Sequence, residues 1–188
     1  MMSKRLLSCA LAAVLLAGVC SQASAVATSA RPFTPAAPTT QDDASTYKFT
    51  DGGIQFSVPA GWEVKPDGDG AVKVFPKTGG NVQIAFVALP IATDLNPEEK
   101  AGLVEKLSAK SGVTDLKLGE YKGNETMGGM KLAVRPYEGK NNGHDVEGMF
   151  FLLSAEKLVF IALVADKSRS EALSKDAEAV INSVKKVE

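Results

Sequence analysis

Residues 146–165, VEGMFFLLSAEKLVFIALVA, decide the fold. Segments 146–154 and 158–165 are apolar almost throughout, and residues 155–157 form a tight connection, so this stretch predicts an antiparallel pair of strands. Alternate residues of a strand point to opposite faces, and both faces of the first strand are apolar. One face carries Met149, Phe151 and Leu153, and the other carries Phe150 and Leu152. Because a strand that is apolar on both faces must be covered on both, we expect a sheet between two outer layers.

Two predicted helices supply these outer layers. The first begins after Asn96, a residue type that caps helices, with Pro97 at its first position, and ends before Gly112. The second follows Ser168 and Glu171, which match a capping box. Its apolar residues recur at helical spacing: Leu173, Ala177, Val180, Ile181, Val184 and Val187. Each helix therefore has an apolar side that can pack on the sheet.

The remaining strands are short runs between turn residues. We predict them at 54–58, 72–75, 82–89, 116–122 and 130–137. Together these elements predict an α+β fold. Its architecture is an α/β/α sandwich in which a mostly antiparallel sheet of six to seven strands carries a helix on each face.

The N-terminal segment has the three parts of an export signal. Lys4 and Arg5 form a basic start, residues 6–19 form an apolar run, and Ala25 ends a small-residue cleavage site. The apolar run is shorter than the ~20 residues that a membrane-spanning helix needs. We therefore predict a signal peptide at 1–25, a flexible linker rich in Pro, Ala and Thr at 26–46, and a folded domain at 47–188. The protein is then periplasmic or secreted.

Both cysteines, Cys9 and Cys20, lie within the predicted signal peptide. Cleavage after Ala25 would remove them, which excludes thiol nucleophiles, disulfides and cysteine-ligated metals from the mature chain. The alternative is lipoprotein processing, in which Cys20 would be acylated and retained. Such sites prefer a small residue directly before the cysteine, and Val19 is a poor fit.

The start and the end of the predicted domain resemble a known family. The opening pattern is Phe49-x4-Ile54-x-Phe56-x-Val58-Pro59-x-Gly61-Trp62, and the closing helix ends as Val180-Ile181-Asn182-Ser183-Val184-Lys185. Both resemble PsbP-like domains, a superfamily that includes many exported bacterial proteins of unassigned function, among them DcrB-like domains. The resemblance covers 47–187 and implies an α/β/α sandwich that binds rather than catalyses. The family carries no catalytic motif that could be transferred to this chain.

The chain has one histidine, His144, so acid–base chemistry has few options. His144 follows the turn Asn141-Asn142-Gly143, which predicts an exposed side chain. A metal site with Asp145 and Glu147 is the alternative, but these neighbours lack the spacing that metal geometry usually needs. We therefore expect no catalytic residue, no metal and no cofactor.

Four residues are candidates for contact with a partner or ligand: Trp62, Arg135, Tyr137 and His144. Trp62 either fills the core where a strand ends or lies at the rim of a binding groove, since aromatic residues are enriched at interfaces. Pro136, between Arg135 and Tyr137, removes a backbone donor, which predicts an edge strand or the end of one. A sheet edge can recruit a partner by strand addition.

These observations favour a non-enzymatic accessory protein over two alternatives, a carrier of a small apolar or lipid-like ligand and a hydrolase that uses His144. Loss of Lys4 and Arg5 leaves 19 of the 21 basic side chains against 22 acidic ones, and no basic stripe is present. Nucleic acid is therefore not an expected partner. We expect another envelope protein as the partner and no transmembrane segment after signal removal, while the oligomeric state stays open.

Overall fold

The computed structural model describes residues 44–68, 70–91 and 93–187. The elements in these ranges are, in chain order, β1 Ser45–Phe49, β2 Ile54–Val58, β3 Trp62–Pro66, β4 Ala71–Pro76, β5 Val82–Leu89, α1 Pro97–Ser108, β6 Thr114–Leu118, β7 Lys122–Met127, β8 Met130–Asn141, β9 His144–Ser154, β10 Leu158–Asp166, α2 Glu171–Asn182 and β11 Lys185–Lys186. A short 3-10 helix, Thr50–Gly52, joins β1 to β2. The predicted signal peptide and residues 26–43 of the predicted linker lie outside the described residues.

Eight of these strands form one large sheet. Its order is β3-β4-β5-β10-β9-β8-β6, and β7 also pairs with β8. Every strand pairing in the described ranges is antiparallel. The predicted α/β/α sandwich is confirmed, because α1 packs on one face of this sheet and α2 on the other.

A second, small sheet of order β1-β2-β11 was not predicted. It packs on the same face of the large sheet as α2, and Phe56 of β2 stacks on Phe86 of β5 with ring centroids 4.3 Å apart. The α2 face therefore has two covers, one helical and one built from strands.

Strands β9 and β10 lie in the middle of the large sheet, as their two apolar faces require. Phe151 and Leu153 pack into the core below α2 and the small sheet. Phe150 and Leu152 pack into a separate core on the α1 face. Alternation along one strand therefore supplies side chains to both cores.

The two helix starts differ in how well they follow the prediction. At α1, the Asn96 side chain accepts a hydrogen bond from the Glu99 amide, and the Glu99 carboxylate accepts one from the Asn96 amide, both at 2.9 Å. At α2, the cap is Ser170 and not Ser168. The Ser168 hydroxyl instead donates to the carboxylate of Asp166 at 2.6 Å, which forms a turn before the helix.

The prediction that Pro136 marks a sheet edge is wrong. Strand β8 pairs with β9 on one side and with β6 and β7 on the other. Pro136 lies where the pairing changes from β7 to β6, and its carbonyl accepts from the Gly119 amide of the loop between them at 2.8 Å. The nitrogen and carbonyl of one strand residue point to the same side, so the missing donor faces this break.

Candidate binding groove

The structure distributes the four predicted contact residues over different parts of the molecule. Trp62 begins β3 and is only 5% exposed, packed in the core of the α2 face. Its indole Nε1 donates to the carboxylate of Asp176 on α2 at 3.2 Å. This position favours the core-filling alternative and fixes β3 against the helix.

Arg135 lies on the α1 side of β8. Its Nε donates to the carbonyl of Gly119 at 3.2 Å, and its guanidinium lies 3.9 Å from the carboxylate of Glu105 on α1. The side chain therefore connects α1 with the loop between β6 and β7.

Tyr137 is buried on the α1 face and stacks on Phe150 with ring centroids 4.2 Å apart. Its hydroxyl donates to the carbonyl of Leu163 on β10 at 2.9 Å. Gly148 of β9 lies between the two residues, where a Cβ would meet both the hydroxyl and that carbonyl. Burial raises the pKa of Tyr137, so the phenol is neutral at ordinary pH.

His144 begins β9 and its side chain is 63% exposed, with Nδ1 lying 3.6 Å from the carboxylate of Asp166. The hydroxyl and the amide of Ser168 hold the pKa of Asp166 below its usual value, with a smaller contribution from the Asn81 amide. Glu147 forms an ion pair with Arg169 at 2.9 Å. In the described ranges no three His, Cys, Asp or Glu residues are grouped as a metal site would need.

A concave surface beside α2 forms a groove with a volume of about 830 Å³. We call it the α2-side groove. The apolar residues of its floor include Pro136 of β8, Met149 and Phe151 of β9, and Leu163 and Ala165 of β10. One wall is α2, through Ser174, Ala177, Glu178, Ile181 and Asn182, and the opposite rim is the end of β6 and the following loop, through Lys117, Leu118 and Gly119.

Met149 is the prominent exposed residue of this floor. It is 43% exposed, between Pro136 of β8 and Leu163 of β10 in the pairing register. Ile91 is the other large apolar residue with comparable exposure in the described ranges, and it lies in the loop after β5. Singly exposed apolar residues are normal, but Met149 belongs to a concave apolar surface, which is the form of a binding site.

Charged residues surround the apolar floor. Two ion pairs connect the segment before α2 to the sheet, Arg169–Glu147 at 2.9 Å and Lys167–Glu138 at 3.1 Å. The Arg169 Nε also donates to the hydroxyl of Ser174 at 2.8 Å, which fixes this end of the groove. Lys117 on one rim and Glu178 on the other enter no ion pair within the part of the chain that the structure describes.

The sequence did not predict this groove, because it placed Met149 on an apolar face of the strand that we expected to be covered, whereas Met149 is widely exposed. The difference in width between a broad sheet and a single helix could have indicated an uncovered surface. Neighbouring strands lie about 4.8 Å apart, whereas one helix is about 10 Å wide, so a single helix leaves part of a broad sheet uncovered.

Neither helix in the described ranges is long and apolar enough to cross a membrane.

Comparison with known proteins identifies the fold. The solution structure of cyanobacterial PsbP (CyanoP) from Synechocystis sp. PCC 6803 matches 84% of this chain and 100% of its own length, with a TM-score of 0.59 and 14% sequence identity. LpqN of Mycobacterium tuberculosis, described as involved in cell envelope biogenesis, matches 78% of this chain and 86% of its own, with a TM-score of 0.45 and 13% identity. No protein-family model and no curated protein matches the sequence. The chain has a PsbP-like fold, which confirms the predicted resemblance.

Proposed function

We propose that the protein is an exported, non-enzymatic accessory protein that holds a partner protein of the cell envelope in the α2-side groove. The observation that carries this proposal is the exposed Met149 on an apolar, concave floor with a charged rim. An apolar centre inside a polar rim is the usual anatomy of a protein interface. Methionine also adapts its shape to different apolar partners.

Several polar groups that could support catalysis have structural roles. The carboxylate of Asp166 accepts from the Ser168 hydroxyl and amide, and the Tyr137 hydroxyl donates to a backbone carbonyl. His144 is exposed on a turn, 3.6 Å from Asp166. A hydrolytic site would need a nucleophile, a base and an orienting group in one cleft, and these contacts supply no such arrangement.

A carrier of a small apolar or lipid-like ligand is the second candidate function. It is favoured by the volume of the groove, about 830 Å³, which falls within the ~300–1,000 Å³ that is typical of ligand sites. Such sites usually enclose most of the ligand surface, whereas the floor of this groove leaves Met149 widely exposed. This exposure favours the protein partner.

Site-specific photo-crosslinking in the native envelope tests the proposed function. A photo-reactive phenylalanine derivative replaces Met149 in one variant and Ile91 in a matched control, because the two side chains are 43% and 41% exposed. We expect a discrete protein adduct from position 149 and none from position 91. Equal labelling from both positions, or adducts with lipid alone at position 149, would contradict a protein partner in the groove.

A further inference from the structure

We infer that the occupant of the α2-side groove is an amphipathic α-helix of the partner. Its apolar side lies on Met149, its basic flank faces Glu178 of α2, and its acidic flank faces Lys117 of β6. This inference rests on the proposed function and specifies the secondary structure and the charge order of the partner segment.

The width of the groove suits one helix. Helix α2 packs on the sheet against β5, and its Ala177 and Ile181 share a core with Ile161 and Ala165 of β10. Packed helices lie about 8–10 Å apart, which corresponds to about two strand spacings. A helix beside α2 would therefore lie above β9 and β8, where the groove has its floor.

The length of the groove suits about two to three helical turns. The residues of α2 that line it run from Ser174 to Asn182, a stretch of about 13 Å along the helix. At the end near Ser174, the Arg169–Glu147 ion pair bounds the groove. A bound helix of similar length would lie alongside α2 from Ser174 to Asn182.

The backbone pairing of the floor favours a helix over an extended peptide. Strands β8, β9 and β10 each pair with neighbours on both sides, so their backbone groups cannot hydrogen-bond to an added strand. An extended segment buried on this face would leave its own amides and carbonyls without partners, which is unfavourable. A helix satisfies these groups internally and presents only side chains to the floor.

The charges on the two rims of the groove determine which side of the partner helix is acidic and which is basic. Both Lys117 and Glu178 are exposed and lie on opposite sides of the groove. A partner helix with acidic residues toward Lys117 and basic residues toward Glu178 complements both. The reverse arrangement would place like charges together, which disfavours binding.

The test maps the crosslinked partner segment at single-residue resolution. The photo-reactive group is placed in turn at Lys117, Met149 and Asn182 of the full chain in its native envelope, and the adducts are sequenced by mass spectrometry. We expect the crosslinked partner residues to recur at spacings of three or four along one segment. Adducts at every second residue, or at scattered positions, would overturn the helix while leaving the proposed function intact. The absence of any protein adduct would contradict both.

A charge exchange tests the predicted flanks. The double variant Lys117→Glu with Glu178→Lys should lower the adduct yield from position 149 about tenfold, and 0.5 M salt should reduce this difference because it screens exposed charges. The matched control exchanges Glu171 and Lys175, which form an exposed ion pair at 2.8 Å on α2 away from the groove lining. An equal effect of both exchanges, or of neither, would overturn the charge order.

Discussion

Two residues of β9 that point to the same face of the sheet have opposite environments. Leu153 is completely buried, whereas Met149 is 43% exposed. Leu153 belongs to the core that the small sheet covers, and Met149 faces the groove beside α2. The strand and its alternation are the same in both cases, so the difference arises from the outer layer alone.

On the α2 face of the sheet, apolar surface at one end of β9 contributes to stability, and apolar surface at the other end is available for binding. At the covered end, burial of apolar surface contributes about 25 cal/mol per Å² to folding. At the open end, the same kind of surface remains in contact with water and its burial is still available to a partner. Substitutions at the covered end should therefore change the free energy of unfolding, and those at the open end should change binding.

The largest expected effect is at the covered end. Phe56→Ala removes a fully buried ring that stacks on Phe86 and joins the small sheet to the large one. Truncations of buried phenylalanine cost about 3–5 kcal/mol, and urea unfolding should show a loss of this size. Tyr47→Ala, in the half-buried outer part of the same sheet, should cost less. If Phe56→Ala lowered the free energy of unfolding by less than Tyr47→Ala does, the small sheet would contribute little to the stability of the fold.

A smaller effect is expected for the backbone of the open end. In Gly148→Ala the new Cβ would collide with the carbonyl of Leu163 and lie 2.8 Å from the Tyr137 hydroxyl. Crowding of this kind costs about 1–3 kcal/mol. Gly102→Ala in α1 is the matched control, since its Cβ meets nothing within 4 Å and helix propensity favours alanine by up to about 1 kcal/mol. Equal stabilities of the two variants in urea would contradict a tightly fixed backbone near Met149.

Removal of one hydroxyl should have a still smaller effect at neutral pH. Tyr137→Phe loses the hydrogen bond to the Leu163 carbonyl, which corresponds to about 1 kcal/mol by urea unfolding at pH 7. Tyr47→Phe serves as the control, because it also removes one phenol. A loss no larger than that of Tyr47→Phe would contradict a stabilising role for this bond.

The Tyr137→Phe substitution should also change how the free energy of unfolding depends on pH. Burial raises the folded-state pKa of Tyr137 above the unfolded value of about 10, so its contribution to stability is complete below pH 10 and is lost as the pH rises further. The wild-type protein should therefore lose more stability than Tyr137→Phe between pH 9 and pH 11.5, measured by urea midpoints. Parallel curves for the two proteins would contradict this assignment.

The sequence predicted the features that depend on local pattern. The cap of α1 follows from Asn96 and Pro97, and the central position of β9 follows from its two apolar faces. The small sheet was missed because β11 has only two residues and its pairing partner, β2, lies far away in sequence. A short strand of this kind has no periodicity of its own, and its pairing depends on tertiary packing.

The candidate site was hidden for a related reason. Apolar alternation identifies the residues that can be buried, but it does not say which segments will cover them. The sequence therefore predicts the same burial for Leu153 and Met149. Pro136 was misread in the same way, because its missing donor indicates an interruption of pairing and not a free edge. The number of covering layers at each position is a property of the assembled fold.

The smallest change in stability is expected at the open end itself. Met149→Glu places a charge where the side chain is already widely exposed, so the free energy of unfolding should change by no more than about 0.5 kcal/mol. The same variant should nevertheless abolish photo-crosslinking from Asn182, because a bound apolar segment would bury the carboxylate without a partner. Ile91→Glu, at a similarly exposed position, should leave both the stability and the crosslinking unchanged. If Met149→Glu instead destabilised the protein as much as Gly148→Ala, the groove would already be covered within the folded chain, and the contrast between the two ends of β9 would fail.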